Sequence, residues 1–195
     1  NTGVGYNALN DLETGDNNIA VGKNTADAIT SGSQNIFIGV DAGHVTTDVD
    51  YAVIIGHEAG YAVMDSDADG SVGIGAGTLQ ALTSGQGNVA VGRNALIAAT
   101  DSDYNTAVGH QALTNMTGTA GTTANTAVGF QAGVALTIGR YNTAIGYQTL
   151  PTDDVGDYST AVGYASLYSQ NSDSDNENTG NTGVGSYSGL YNVTG

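Results

Sequence analysis

Residues 142–146 read Asn-Thr-Ala-Ile-Gly, and near copies of this phrase recur from end to end: a small polar residue, a β-branched one, a small one, Val or Ile, then Gly. With the closing glycine as anchor, the copies fall at Gly5, Gly22, Gly39, Gly56, Gly75, Gly92, Gly109, Gly129, Gly146, Gly163 and Gly185, at intervals of 17, 17, 17, 19, 17, 17, 20, 17, 17 and 22 residues. A fixed period broken only by short insertions predicts a solenoid, in which each repeat is one coil that touches mainly its neighbours. Residues 1–195 then form a single repeat domain of eleven coils.

Counting from the anchor glycine as zero sorts the coil into columns. Position −1 is Val or Ile in every copy: Val4, Val21, Ile38, Ile55, Ile74, Val91, Val108, Val128, Ile145, Val162 and Val184. This column is expected to be the buried core, and position −3, always Thr, Val or Ile, shares its face by the two-residue alternation of a strand. Position −2 is mostly Ala or Gly, which implies a flat flank open to a neighbouring chain, with local widening at Phe37 and Ile54. Position +3 is small throughout and +4 is Leu or small, so a second short strand is expected after the anchor, whose glycine lets the chain turn a corner. The Asn column at −4 (Asn1, Asn18, Asn35, Asn88, Asn105, Asn125, Asn142, Asn181) suits an amide ladder bonded along the axis. The insertions fall in polar, glycine-rich loops at 64–70, 115–124 and 169–180, where length costs little.

The composition agrees with a thin body. Thirty glycines, one proline and no cysteine or tryptophan leave too few large apolar side chains for a thick core. Nineteen acidic against three basic residues give a net charge of −16, which argues against nucleic-acid binding and against anionic membranes. No apolar run approaches the roughly 20 residues of a membrane span. The absence of an initiator Met or leader-like segment reads as a piece of a longer protein.

Candidate chemistry is sparse. Asp65, Asp67 and Asp69, alternating before Gly70, match the opening of a calcium loop, but Ala76 stands where that loop carries a bidentate Glu. Calcium completed by another chain and a plain solvated acidic loop both remain open, and no other cofactor is called for. Asp101 with Asp103, and Asp173, Asp175 and Glu177, are weaker versions. His44, His57 and His110 stand in different coils, so no zinc or catalytic cluster is expected and no catalytic residue is assigned. Eleven tyrosines, many at +1 or in loops, could offer platforms for sugars or simply shield coil corners.

The phrases Asn105–Leu113 (NTAVGHQAL) and Asn142–Leu150 (NTAIGYQTL) resemble the head repeats of YadA-like trimeric autotransporter adhesins, and more closely the related repeats of phage tail fibres. The resemblance covers nearly the whole chain. It implies two short strands per coil, a left-handed parallel β-roll and three chains packed side by side. The function it implies is structural: an extracellular fibre segment, on a virion tail fibre or a bacterial surface, that associates with itself and meets a cell-surface glycan or protein receptor. Two other classes are weighed beside it. A hexapeptide-repeat acyltransferase would need three apolar corners per coil where this chain repeats one Val-Gly or Ile-Gly corner. An ice-binding solenoid is suggested by Thr at −3, but Val and Ile in the same column read as interior.

Overall fold

The computed structural model describes residues 1–118, 121–172 and 178–192. Each copy of the phrase forms one three-residue strand: Thr2–Val4, Ile19–Val21, Ile36–Ile38, Val53–Ile55, Val72–Ile74, Val89–Val91, Thr106–Val108, Thr126–Val128, Thr143–Ile145, Thr160–Val162 and Thr182–Val184. β-Branched side chains at −3 and −1 in every copy favour the extended backbone. All eleven strands lie in chain order in one parallel sheet, like over like: Thr126 pairs with Thr143, Ala127 with Ala144 and Val128 with Ile145. Helix among the described residues is one 3-10 turn, Ser66–Ala68, so the chain is an all-β parallel solenoid.

The anchor glycines line one edge of this sheet. Gly129 has φ 135°, and a Cβ built on it would lie 2.2 Å from the carbonyl oxygen of Gly146, the next anchor. Only a residue without a side chain can hold that φ and let the next coil approach so closely.

Three expectations about the coil are corrected. The first is the second strand. The residues after the anchor form a turn with left-handed backbone at alternate positions, as at Gln111 (φ 58°) and Leu113 (φ 49°). The coil-to-coil ladder nevertheless continues through it: the Gln111 N–H donates back to Arg93 O at 3.0 Å and the Leu113 N–H forward to Ala132 O at 3.1 Å. The N–H between them, that of Ala112, donates within the turn to Gly109 O at 3.4 Å, so alternate N–H groups reach the coils on either side and the turn is bonded without a strand.

The second correction is larger: the Val/Ile column at −1 faces outward. Val4, Val21, Ile38, Ile74, Ile145 and Val184 are exposed, and Ile55, Val91, Val108, Val128 and Val162 are half-buried. The third follows from it, because the −2 column is the inner one: Ala20, Phe37, Ile54, Ala90, Ala107, Ala127 and Ala161 have no exposed surface. Alternation fixes which residues share a face, and the direction in which the coil bends decides which face is enclosed. A coil of about seventeen residues encloses a space that holds Ala at most positions and leaves no room for a second row of Val and Ile.

The enclosed space is walled by −2 together with three further columns, +3 (such as Ala95 and Ala112), +4 (such as Leu96 and Leu113) and +7 (such as Ile29, Leu82, Met116 and Leu136), all buried. Volume is balanced within a coil. Where −2 carries Phe37, position +4 is Gly43, whose added Cβ would meet the Phe37 ring, and where −2 carries Ile54, position +4 is Gly60, beside the Ile54 methyls. The large residues at −2 thus sit in room vacated by a missing leucine.

The insertions leave the sheet intact. Residues 64–70 contain the 3-10 turn, and in 115–124 the pair Gly121–Thr122 joins Ser102–Asp103 in a second, two-stranded parallel sheet. Of 169–180, residues 173–177 lie outside the described residues; Asn178 bridges to Asp157.

Candidate interaction surface

From −5 to +1, exposed columns alternate with enclosed ones. The outward set is −5, −3, −1 and +1, running as four parallel rows along the sheet. Rows −3 and −1 are Thr, Val and Ile. Row +1 (Tyr6, Lys23, Val40, His57, Ala76, Arg93, His110, Phe130, Tyr147, Tyr164, Ser186) borders one side and is exposed throughout. Row −5 borders the other and includes Tyr51, Tyr104, Tyr141 and Tyr158, all exposed. None of the nineteen acidic residues stands in any of these rows, although the chain carries a net charge of −16. Acids are confined to other columns and the loops, so one broad β-branched face is kept free of them.

The threonines of row −3 differ from those elsewhere. Loop threonines spend their hydroxyls on the next coil: Thr83 donates to Thr100 O at 2.9 Å, Thr100 to Thr117 O at 3.0 Å and Thr137 to Asp154 O at 3.0 Å. Thr106, Thr126, Thr143 and Thr160 stand in register on the open face, half-exposed and with hydroxyls directed to no partner among the described residues.

The aromatic borders are stacked along the axis. His110, Phe130, Tyr147 and Tyr164 form a column with ring centroids 5.5, 5.1 and 5.3 Å apart and planes within 14° of parallel. Tyr141 and Tyr158 do the same on the other border at 5.1 Å. Ring faces within each column are therefore turned on each other. Sugars stack on ring faces, so the expected platform is covered along most of the column. Its end is different: Tyr187 meets Tyr164 edge-on, and the neighbouring Tyr164 hydroxyl holds the Tyr187 hydroxyl pKa above its ordinary value. A shallow groove there is lined by Gln148, Tyr164, Ala165, Tyr168, Tyr187 and Leu190.

Behind the face runs the asparagine ladder. Asn125 is buried; its Oδ1 accepts the Asn142 N–H at 2.8 Å, its Nδ2 donates to Gly139 O at 2.7 Å, and its own N–H donates to Asn105 Oδ1 at 3.0 Å. Each amide thus ties the coil before, the coil after and the turn that closes its own coil. Where Ser159 replaces Asn, its hydroxyl joins Gln170 at 2.8 Å and Thr179 at 2.7 Å. A second set of caps at −6 was not read from the sequence: Asp50 accepts the Ser33 N–H at 2.6 Å, Asp69 the Asp50 N–H at 2.7 Å and Asp157 the Arg140 N–H at 2.7 Å. The signal was present, since Asp, Ser or Thr fills most of that column.

The candidate metal residues are engaged separately. Asp65 caps the 3-10 turn by accepting the Asp67 N–H at 3.0 Å, while Asp69 caps the neighbouring coil. Burial, then the charges of Asp50, Asp48 and Asp67, push the Asp69 carboxyl up from its ordinary value, against the Asp50 N–H that draws it down. Among the described residues no three carboxylate or imidazole groups converge to hold a metal ion. Asp101 and Asp103 line an open groove with Asp67, Ser84, Gln86 and Gly121; Asp173, Asp175 and Glu177 lie outside the described residues. His57 and His110 are exposed in separate coils, and His44 lies 3.9 Å from Asp27 and against Tyr61. No protein-family model matches the chain, and no curated protein or solved structure is significantly similar to it.

Proposed function

We propose that the chain is a segment of an extracellular attachment fibre, a virion tail fibre or bacterial surface filament, in which copies of it pack through the acid-free sheet face, three to a rod as the repeat resemblance implies, each a left-handed roll. The observation that supports this is the face itself. Eleven coils at about 4.8 Å each give it a length near 50 Å, and four outward rows a width up to about 20 Å, an area on the order of the 800 Å² per partner of a stable interface. An exposed β-branched patch of that size on a monomer is unusual. Two chains of charge −16 repel, and a face without acids is where that repulsion is least. The receptor then meets the acidic loops or the rod's end, and repeated weak contacts add through multiplicity.

Light scattering on the purified chain is expected to give a trimer or larger assembly. Val108→Asp with Val128→Asp, which place charge on the face without touching the enclosed columns, are expected to yield a folded monomer by circular dichroism and scattering. A wild-type chain that is monodisperse and monomeric at high concentration ends this reading.

A second reading has an observation of its own. The objection to an ice-binding surface was that row −3 is interior; it is exterior, and its threonine hydroxyls are unspent on a regularly spaced, acid-free lattice. Ice binding predicts thermal hysteresis that Thr126→Tyr and Thr143→Tyr abolish. A fibre interface predicts none, and the same two substitutions then disturb assembly instead.

A further inference from the structure

The shallow groove beside Tyr187 lies where two ladders break. Column +2 carries a series of carboxamides: Gln131 Nε2 donates to Gln111 Oε1 at 2.9 Å, and Gln148 Nε2 to Gln131 Oε1 at 2.9 Å. The next coil has Ala165 at +2, so the series stops, and Gln148 Oε1 accepts no hydrogen bond from a described residue. The aromatic series of column +1 stops as well, because Ser186 follows Tyr164 there and the ring moves to +2 as Tyr187. That change of column sets Tyr187 at 73° to Tyr164, whereas Tyr147 and Tyr164 lie 7° from parallel. Among the described residues no ring stacks face to face on Tyr187 or on Tyr168, and both are exposed.

The room left by the missing glutamine has a volume of about 210 Å³ and is bounded by Ala165, Tyr164, Tyr168, Tyr187, Leu190 and the Gln148 carboxamide. We infer that this groove binds a neutral sugar ring, which gives the attachment reading a receptor class and rests on that reading only for its biological setting. A pyranose has an apolar C–H face and a rim of hydroxyls. The C–H face suits the unstacked faces of Tyr187 and Tyr168, and the hydroxyls suit the unspent Gln148 oxygen and the tyrosine tips. Charge selects among sugars. No charged side chain lines the groove, so the carboxylate of an acidic sugar meets a chain of net charge −16 with no local cation, and an ammonium finds no carboxylate to pair with. Size selects too: the groove falls below the roughly 300–1,000 Å³ of sites that enclose larger ligands, so it takes one ring. Apart from Tyr164, the lining positions stand in columns +2 and +5, outside the −5 to +1 face, so sugar and packed copies do not compete for one surface. Each copy in a rod then adds one weak site.

The chain has no tryptophan, so its intrinsic emission reports tyrosine directly. The probes are methyl glucosides, galactosides and mannosides, with methyl glucuronide and sialic acid as acidic comparators, titrated against the purified chain by tyrosine emission and saturation-transfer NMR. At least one neutral pyranoside is expected to bind in the millimolar range of a single shallow groove, and the acidic sugars are expected not to bind. Ala165→Gln gives this coil the residue that Gln148 carries at a matching backbone, φ 48° against 47°, and extends the amide series into the groove. It should weaken binding about tenfold or more with circular dichroism unchanged, and Tyr187→Ala, at an exposed site, should do the same. Tyr141→Ala, on the opposite border, should leave the affinity as it is. Failure of every neutral pyranoside to bind, equal binding by wild-type and both groove variants, or a preference for the acidic sugars overturns the inference. Light scattering on the same sample reads assembly separately. An assembled chain that ignores sugars loses the groove alone, and a monomer that binds them loses the fibre alone.

Discussion

Asn125→Ala is expected to lower the unfolding free energy by about 4 kcal/mol and to shift the denaturation midpoint accordingly. The substitution removes one carboxamide but orphans two buried groups, the Asn142 N–H and the Gly139 carbonyl, which have it as partner at 2.8 and 2.7 Å. Each such orphan costs about 1–3 kcal/mol, because neither water nor another protein group reaches it. Its neighbours in the ladder, Asn105 and Asn142, are also buried, so the loss falls between coils and should weaken the stack on both sides. Asn24→Ala is the control. Asn24 also bonds along the axis, to Asp41 at 2.9 Å, but it is half-exposed and water can replace the bond, so its cost should stay below about 1 kcal/mol. Equal losses in the two variants, measured by denaturant titration at one chain concentration, would show that the buried ladder holds no special share of stability.

Gly129→Ala is expected to be more severe, leaving little folded protein or a stack parted at that coil. Two penalties combine. At φ 135° an L residue is strained by about 1–3 kcal/mol wherever it sits. Here the added carbon also falls 2.2 Å from the Gly146 carbonyl oxygen, on backbone that cannot yield without lengthening the ladder. Gly185→Ala separates the terms, since Gly185 has φ 120° and nothing within 4 Å of an added Cβ. It should show the strain alone, and a melt in which both variants behave alike would mean that close approach between anchors contributes nothing.

Much of the fold was legible because it is periodic. The anchor interval marked the coils, β-branched residues marked the strands, and the −4 asparagines declared a ladder whose bonds are present, as between Asn125 and Asn105. Less of the candidate surface was legible. The threonines of row −3 and the valines of row −1 were placed inside, and the tyrosines were left between platforms for sugars and shields for coil corners. Both readings took each side chain singly. Stacking turns ring faces onto one another at about 5 Å, and coil curvature turns β-branched rows outward. The compensation of Phe37 by Gly43 was written in the sequence too, but it shows only when −2 and +4 are known to face each other across the coil.

By itself the sequence determined the winding: where each coil begins, which residues stack on which, and that Gly129 and its counterparts must carry no side chain. Those properties depend on local backbone preference and on repetition, which a linear string records directly. Only the tertiary structure decided which face of each strand is enclosed, and that the turn after the anchor holds Gln111 and Leu113 in left-handed backbone where their own preference is weak. Both are set by the direction in which the coil closes, and that direction is fixed by the volume of the −2, +3, +4 and +7 side chains meeting in one narrow interior.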